Sequence, residues 1–272
     1  MLRSMYSGVS GMKGFQTKLD VIGNNIANVN TTGFKSSRVM FKDILSQTTA
    51  GVTAPVDGEN GGINAKQIGL GVSVGSIDTL HLAGSAQTTN VPTDLRIDGD
   101  GFFLVKLDPA QDPAFLTRAG DFHVDALRNL VTSDGLYVTN VDGDPIRLED
   151  NAVSFSIGQN GVISQKLDDG TINTDQSIGV AKVTNPEGLE KMGGNLYRVT
   201  LNAIEGGTIT PTTANNATDG TGAIIAGQLE MSNVDLTGEF TEMIVAQRGF
   251  QANSRIITTS DEVLQEVVNL KR

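Results

Sequence analysis

The residues best suited to chemistry are few and widely separated in this sequence. His81 and His123 are its two histidines, and neither has a second ligand at a metal-binding spacing. We expect each of them to be a histidine on a surface strand. The sequence contains no cysteine, which excludes disulfides, thiolate zinc sites and cysteine nucleophiles.

The surrounding sequence argues against both a possible nucleophile and a possible phosphate-binding loop. Ser10 and Lys13 have the S-x-x-K spacing of some acyl transferases, but the companion S-D-N and K-T-G motifs do not occur. Both residues fall inside a predicted amphipathic helix, which favours a structural role. Residues 69–75, GLGVSVG, lack the glycine spacing of a phosphate loop and an acidic residue placed to bind a ribose.

Paired aspartates are the remaining chemical signal. Asp98 with Asp100, and Asp142 with Asp144, could attract calcium, but each pair lacks the other oxygen ligands of a closed loop. We therefore interpret them as turn residues. A hydrolase built on Asp98, Asp100 and Asp121 is one alternative, although nothing places these carboxylates together, and a monomeric adhesin or carbohydrate-binding β protein is another. The sequence predicts neither an enzyme nor a bound cofactor or metal.

Charge and hydropathy limit the partners. The 272 residues carry a formal net charge of −11, which argues against nucleic-acid binding because phosphates require a basic face. No apolar run approaches the roughly 20 residues that span a bilayer, so we expect no membrane insertion. The residues after Arg3 do not form the continuous apolar region of a cleaved secretory signal.

Apolar residues at helical spacing predict a long helix at the N-terminal end. One row of apolar residues advances in steps of seven: Met5, Met12, Leu19 and Ile26. Ile22 and neighbouring apolar positions widen this row. The pattern predicts about 28 helical residues, roughly 42 Å in length. Gly33 is a suitable stop signal after it.

The C-terminal end predicts a second helix with the same period. The apolar row of this helix consists of Leu236, Met243, Phe250, Ile257 and Leu264. Further apolar residues widen it: Phe240, Ile244, Val267 and Val268. The helix start has Asn233 or Asp235 as N-cap and Glu239 in the first turn, and the helix end has Lys271 and Arg272. Because both predicted helices are terminal and long, we expect them to pair as a coiled-coil-like hairpin whose remaining apolar surface is buried against other copies.

The middle of the chain predicts an antiparallel β domain. Residues 33–75 are rich in glycine, threonine and alanine and are interpreted as an extended connector. Residues 76–232 alternate in short runs, and Asn160-Gly161 is a hairpin signal between two of them. The predicted fold is α+β, with a helical core domain formed by residues 1–32 and 233–272.

Both ends of the chain resemble those of bacterial flagellar rod and hook proteins. Leu19 to Lys35, LDVIGNNIANVNTTGFK, is similar to the N-terminal signature of that family, and Ser232 to Leu270 is similar to its C-terminal signature. Residues within DLRIDGDGFFLV and TRAGDFHVDALRNLVTSDGLYV resemble its inner β domain. The signature residues are Asn24, Asn25, Asn28, Gly33 and Phe34.

The resemblance implies a structural subunit that polymerises. In this family the paired terminal helices form the inner tube of a helical assembly, and they order when the subunit assembles. The implied partners are other copies of the chain, the rod, hook-cap and hook–filament junction proteins, and the flagellar type III export apparatus. The implied location is the extracellular hook or the basal body, reached without a cleaved signal peptide. At the exit from the tube, backbone groups are expected to be hydrogen-bonded by Asn24, Asn25, Asn28 and Asn30.

Two members of the family fit the sequence. The short hook protein of Gram-positive bacteria is the preferred match, since the C-terminal segment resembles hook proteins and the stretch FKDILSQTTAGVTAP lacks the pattern YQTIRQPGAQ that is typical of distal rods. That reading predicts a flexible universal joint. The alternative is the distal rod protein, a rigid drive shaft.

Overall fold

The computed structural model describes residues 2–55 and 61–270, with only the backbone of Leu2. The predicted contribution of Lys271 and Arg272 to a helix end lies outside these residues. The chain divides into two compact units. We call them the helical unit, formed by both terminal helices with Ser37–Thr79, and the β unit, formed by Asn28–Ser36 with Leu80–Val234.

Two long α-helices dominate the helical unit, as the sequence predicted. Helix α1 spans Leu2–Ala27 and helix α2 spans Leu236–Asn269. Of the two predicted N-caps, Asp235 caps α2: its carboxylate accepts a hydrogen bond from the Thr237 amide at 3.0 Å. Glu239 occupies the first turn, where the helix dipole favours a negative charge.

Residues interpreted as a connector form paired strands in the helical unit. They are β1 Ser37–Asp43, β2 Ser46–Ala50, β3 Lys66–Gly69 and β4 Val72–Thr79. Strand β1 pairs antiparallel with β4, and β2 pairs antiparallel with β3. Strand β2, SQTTA, is exposed throughout and provides no apolar alternation to detect. Apolar residues do occur in β1 and β4, Val72 and Val74 in alternation among them, and the sequence reading did not use that signal. The domain boundaries drawn from the sequence stay a prediction.

The β unit contains the remaining strands, and every strand pair in the described chain is antiparallel. Its strands are β5 Ala86–Thr88, β6 Leu95–Asp98, β7 Phe102–Lys106, β8 Phe115–Thr117, β9 Phe122–Val124, β10 Leu130–Thr132, β11 Tyr137–Val138, β12 Ala152–Ile157, β13 Val162–Leu167, β14 Ile172–Ser177, β15 Gly179–Ala181, β16 Glu190–Gly193, β17 Leu196–Arg198, β18 Thr212–Thr213, β19 Ala223–Ala226 and β20 Gln228–Glu230. A 3₁₀ turn, Pro186–Gly188, precedes β16. This content confirms the predicted α+β class.

One nine-stranded sheet organises the β unit, in the order β16-β17-β8-β7-β11-β10-β9, with β15 on β7 and β18 on β15. Strands β12, β13 and β14 form a separate sheet, and β19 pairs with β6 and β20 with β5. The predicted hairpin at Asn160-Gly161 is confirmed between β12 and β13, and Gly161 takes a φ of +79° that favours glycine.

The apolar core of the β unit consists of two clusters of buried side chains. One surrounds Phe103 and Phe122, whose rings meet edge-on at 5.1 Å, and the other surrounds Phe102 and Tyr197. Every member of both clusters comes from residues 95–224. The β unit therefore has its own core within its own residues.

Candidate functional site

The terminal helices pack against each other in antiparallel directions. The hydroxyl oxygens of Ser4 and Ser260 lie 3.5 Å apart near one end of the pair. Towards the other end, the Lys18 ammonium donates to the Glu242 carboxylate at 2.5 Å. Both groups of this ion pair are partly exposed, so the pair contributes more to the relative orientation of the two helices than to their stability.

Glycines allow close approach of the helix backbones. A Cβ atom on Gly249 would lie 2.6 Å from the ring of Phe15, and one on Gly11 would lie 2.9 Å from the side chain of Asn253. Neither distance occurs between real Cβ atoms and their neighbours without a shift. At these points a glycine of one helix meets a larger side chain of the other.

The predicted assembly residues are mostly incompletely buried in the single chain. Ile22 is buried at 4% exposure, whereas Leu236, Phe240 and Phe250 are exposed at 39%, 50% and 38%. Those that are half-buried are Met5, Met12, Leu19, Ile26, Met243, Ile257 and Leu264. An apolar surface of this extent on one helix pair is typical of an interaction site. Their role in assembly stays a prediction.

Asn25, one of the signature residues, joins three elements of the helical unit. Its side chain is buried, donates to the Ser37 carbonyl at 2.8 Å and accepts from the Ser37 amide at 3.0 Å. The same amide group donates to the Glu239 carboxylate at 2.9 Å, where burial raises the pKa of Glu239. The expectation that an asparagine binds backbone at the end of α1 is correct for this residue.

The other signature residues have separate roles. The Asn28 side chain accepts from the Thr31 hydroxyl at 3.1 Å, and Asn24 is exposed. Gly33 has a φ of +68°, and a Cβ there would lie 2.6 Å from the Ala119 amide nitrogen, so only glycine fits. Phe34 is buried, with the ammonium of Lys191 5.2 Å from its ring centre.

Three charged groups are buried together in the β unit, and the sequence reading did not find them. The Lys35 ammonium donates to Glu230 at 2.6 Å and to the Leu82 carbonyl at 2.8 Å. The Arg118 guanidinium donates to the other Glu230 oxygen at 3.2 Å and to the Gly99 carbonyl at 2.9 Å. We call Lys35, Arg118 and Glu230 the buried charge cluster; each is less than 5% exposed.

The electrostatics of the buried charge cluster favour an ionised Glu230. Burial opposes ionisation of its carboxyl, but the charges of Arg118 and Lys35 and the hydrogen bonds to Lys35 and the Gly84 amide outweigh burial, so the pKa of Glu230 is lowered. Burial lowers the pKa of Lys35, opposed by Glu230. Two cations on one carboxylate leave a net charge of +1 inside the β unit, which makes Glu230 indispensable to the other two.

The two histidines differ in environment. His123 is exposed on β9, as expected. His81 was expected on a surface strand, which is wrong: it lies between β4 and β5, half-buried, with ring contacts to Phe102 at 5.7 Å and Tyr197 at 5.4 Å. Burial, with nearby Lys35 and other cations, lowers the pKa of His81 to about 4.

The remaining chemical candidates have structural roles. Ser10 lies within α1, where its hydroxyl donates to the Ser7 carbonyl at 2.8 Å. The Asn140 side chain accepts from the amides of Asp142 and Asp144, which are turn residues as interpreted. In residues 2–55 and 61–270, no group of three or more His, Asp or Glu side chains is arranged to hold a metal ion. None of the helices among these residues is long and apolar enough to cross a membrane.

Family profiles match three segments of the chain. Residues 5–35 match "Flagella basal body rod protein", residues 96–165 match "Flagellar hook protein FlgE/F/G D1 domain", and residues 225–270 match "Flagellar basal body rod FlgEFG protein C-terminal". Each segment contributes one member of the buried charge cluster. These three residues, one charged residue in each matched segment, were the signal from which the sequence could have predicted the buried charge cluster.

Two similar proteins match the whole chain, and a third matches about half of it. The flagellar basal-body rod protein FlgG of Bacillus subtilis is 57% identical over 273 residues, covering all of both chains. FlgG of Borreliella burgdorferi is 36% identical over 275 residues, again covering all of both. The flagellar hook protein FlgE of Treponema pallidum is 53% identical over 131 residues, which are 48% of this chain and 27% of that protein.

The chain thus has an antiparallel pair of terminal helices with exposed apolar side chains and an antiparallel β unit with its own core, a combination that is typical of subunits of structural assemblies. The similarities identify the class more closely: this chain belongs to the FlgE/F/G family of bacterial flagellar rod and hook proteins.

Proposed function

We propose that this chain is the distal rod subunit of the flagellar basal body and that it polymerises through its terminal helices. The observation that carries the proposal is the full-length similarity, at 57% identity, to a protein named as the basal-body rod protein FlgG. The role is mechanical, and no catalytic step is part of it.

The comparisons favour the rod over the hook that the sequence reading preferred. The hook protein of Borreliella burgdorferi is 28% identical in an alignment of 450 positions, far more than the 272 residues of this chain. The stronger hook similarity, to Treponema pallidum, is confined to about half of this chain. A rigid drive shaft therefore replaces the flexible universal joint as the proposed role.

The physical basis for polymerisation is the exposed apolar surface of the helical unit. Burying the rest of a half-exposed valine or phenylalanine contributes about 1 kcal/mol, so several such residues per interface supply a useful association energy. Different surfaces of one subunit that bind each other make a heterologous contact, and such contacts generate open helical tubes when they do not close into rings.

The proposed partners follow from this role. They are other copies of the chain, the neighbouring rod and hook proteins, and the flagellar type III export apparatus that delivers the subunit. The proposed location is the basal body, and neither a nucleic acid nor a membrane is a partner.

Complementation tests the distal-rod assignment. Expressed in a Bacillus subtilis strain that lacks its own FlgG, the chain should restore swimming, and purified polymers should be straight and rigid in negative-stain images. Curved, flexible tubes together with failure to restore swimming would favour the hook. Failure to polymerise at any concentration, with soluble monomer remaining, would contradict both assignments.

A further inference from the structure

A cavity of about 530 Å³ lies in the β unit, at the ends of three neighbouring strands. In the register of these strands, Ala181 of β15 pairs with Phe102 of β7, and Val180 of β15 pairs with Thr212 of β18. Residues just beyond these pairs line the cavity: Asp100, Gly101, Lys182, Thr184 and Thr210. A volume of this size is typical of sites for small ligands, and the function proposed above does not use it.

A buried positive charge borders this cavity. Arg118 of the buried charge cluster lines it, and its guanidinium already donates to Glu230 and to the Gly99 carbonyl. Arg118 therefore acts on the cavity through its charge. Because the cluster holds two cations and one carboxylate, one positive charge is left without a counter-charge inside the protein. An anion in the cavity would lower the free energy of that buried charge.

A second cation, Lys182, also lines the cavity. It is exposed, and it makes no ion pair with any residue of 2–55 or 61–270. A Cβ atom on Gly220 would lie 2.6 Å from its ammonium nitrogen, so the ammonium lies against the backbone of Gly220. Lys182 and Arg118 together favour a ligand with an anionic group.

Two buried nitrogen atoms of the lining residues have no hydrogen-bond partner in the part of the chain that the structure describes. They are Nε of Arg118 and Nδ1 of His81. The His81 ring packs against Phe102, and burial with nearby cations lowers its pKa to about 4, so the ring is neutral at pH 7. Buried polar atoms without a partner are rare in native proteins, and a bound ion or ligand is one cause of them. These atoms are a second indication, separate from charge, that the cavity binds a polar ligand.

Two carboxylates limit the charge of that ligand. Asp100 and Asp219 line the cavity and are exposed. They would repel a phosphate dianion about twice as strongly as a carboxylate, which carries a single charge. The same carboxylates, with the hydroxyl groups of Thr184 and Thr210, can accept hydrogen bonds from hydroxyl groups of a ligand. The lining therefore favours a carboxylate with hydroxyl groups beside it.

We propose that this cavity binds a small monocarboxylate that carries hydroxyl groups, such as a sugar acid. The carboxylate is held by the charges of Arg118 and Lys182, and the hydroxyl groups donate to Asp100 and Asp219. All the lining residues belong to the β unit, so binding involves neither terminal helix and does not depend on polymerisation.

Three probes separate the parts of the ligand. D-Glucuronate carries both a carboxylate and hydroxyl groups, acetate carries only the first and D-glucose only the second. Saturation-transfer NMR on the full-length chain at pH 7 should show glucuronate binding at least about fivefold more tightly than acetate or glucose. Glucuronate that fails to bind at about 50 mM, or that binds no better than either fragment, would overturn the proposal. Inorganic phosphate that binds as tightly as glucuronate would overturn the proposed ligand class.

The two histidines report where glucuronate binds, since they are the only histidines of the chain. An anion in the cavity offsets the nearby charges of Lys35, Lys191 and Arg118, so glucuronate should raise the pKa of His81 above about 4. The pKa of His123, which is exposed on β9, should not change. The ring-proton shifts followed against pH measure both. Glucuronate that binds without moving the pKa of His81 binds elsewhere, which would contradict the proposed site.

A lining cation provides the matched variant. Lys182→Gln should raise the Kd for glucuronate about three- to tenfold, with an unchanged circular dichroism spectrum. The control is Lys166→Gln, an exposed lysine of β13 that does not line the cavity, and it should leave the Kd unchanged. Equal Kd values for the two variants would overturn the role of the cavity. Polymerisation is measured separately, so the proposed function stands or fails independently of this result.

Discussion

At the scale of single residues, the most constrained chemistry is a charge network in the β unit. Lys35 follows the N-terminal signature, and Glu230 lies at the end of β20, just before the chain leaves the β unit for α2. Both are almost completely buried, so the carboxylate and the two cations depend on one another for charge compensation. The network joins the points where the chain enters and leaves the β unit.

Replacing Glu230→Gln should strongly destabilise the β unit. The change leaves Lys35 and Arg118 buried without a counter-charge, and loss of one member of a buried charge network costs about 3–5 kcal/mol. Urea unfolding followed by tyrosine fluorescence measures the loss. The matched control is Glu190→Gln, which breaks a half-exposed pair with Arg198 and should cost at most about 1 kcal/mol. Similar losses from both changes would contradict the role of the cluster.

His81 should make the β unit less stable in mild acid. Its folded pKa of about 4 lies below the ordinary value of 6.5, so the unfolded chain binds the extra proton first. The contribution of neutral His81 to the unfolding free energy is fully present above pH 6.5 and is lost as the pH drops towards 4. The lowered pKa of Glu230 acts separately, below the ordinary glutamate range, where protonation removes its contribution.

The variant His81→Phe isolates that histidine. It keeps the ring contacts with Phe102 and Tyr197 and removes the titrating group, so the difference in unfolding free energy between pH 6.5 and pH 4 should shrink. Denaturant unfolding across this range provides the measurement. His123→Phe, at an exposed position on β9, is the control. An unchanged pH dependence in His81→Phe would show that another group is responsible.

At the scale of elements, the sequence correctly predicted the helices and the hairpin that leave a regular pattern in it. Apolar steps of seven located both helices, and Asn160-Gly161 located a hairpin. Strand β2 was missed because its exposed polar residues carry no apolar alternation. In β4 the alternating Val72 and Val74, and in β1 Phe41, whose ring lies 6.0 Å from that of Phe15, were a signal that the sequence reading did not use. The half-buried state of His81 was missed because it depends on Phe102 and Tyr197, which are distant in sequence.

The spacing between α1 and α2 is set by glycine, so a larger residue there should separate the helices. Gly249→Val places its Cβ within 2.6 Å of the Phe15 ring, and the change should lower the melting temperature of the helical signal and weaken polymerisation. Far-ultraviolet circular dichroism and light scattering measure the two effects.

A glycine of α1 provides the control. Gly23→Ala meets nothing within 4 Å, and replacing glycine in a helix interior stabilises by about 0.5–1 kcal/mol. It should therefore raise the melting temperature slightly and leave polymerisation intact. If Gly249→Val behaves like Gly23→Ala, close packing of the two helices is not what holds them together.

At the scale of the whole molecule, the buried apolar core and most of the exposed apolar residues of the helices lie in different parts of the chain. The apolar clusters of the core lie within residues 95–224, whereas the long helices leave valine, phenylalanine and isoleucine side chains exposed. The sequence predicted both terminal helices, but it did not predict that a nearby strand lies against α1, where the rings of Phe41 and Phe15 are 6.0 Å apart. It preferred the hook over the distal rod, whereas the full-length similarity to a basal-body rod protein favours the rod.

Removing both terminal helices should abolish polymerisation and leave the β unit folded. A chain of residues 28–235 keeps every member of both core clusters and the buried charge cluster. Its unfolding free energy should match that of the β unit in the intact chain within about 1 kcal/mol, which for a domain of this size is about 2–4 °C in melting temperature. Calorimetry and light scattering measure stability and polymer. A full-length Phe240→Asp, Phe250→Asp chain is the matched control: both side chains are exposed, so it should fold and remain monomeric. A truncated chain that unfolds, or a doubly substituted chain that still forms tubes, would place the adhesive surface somewhere other than the terminal helices.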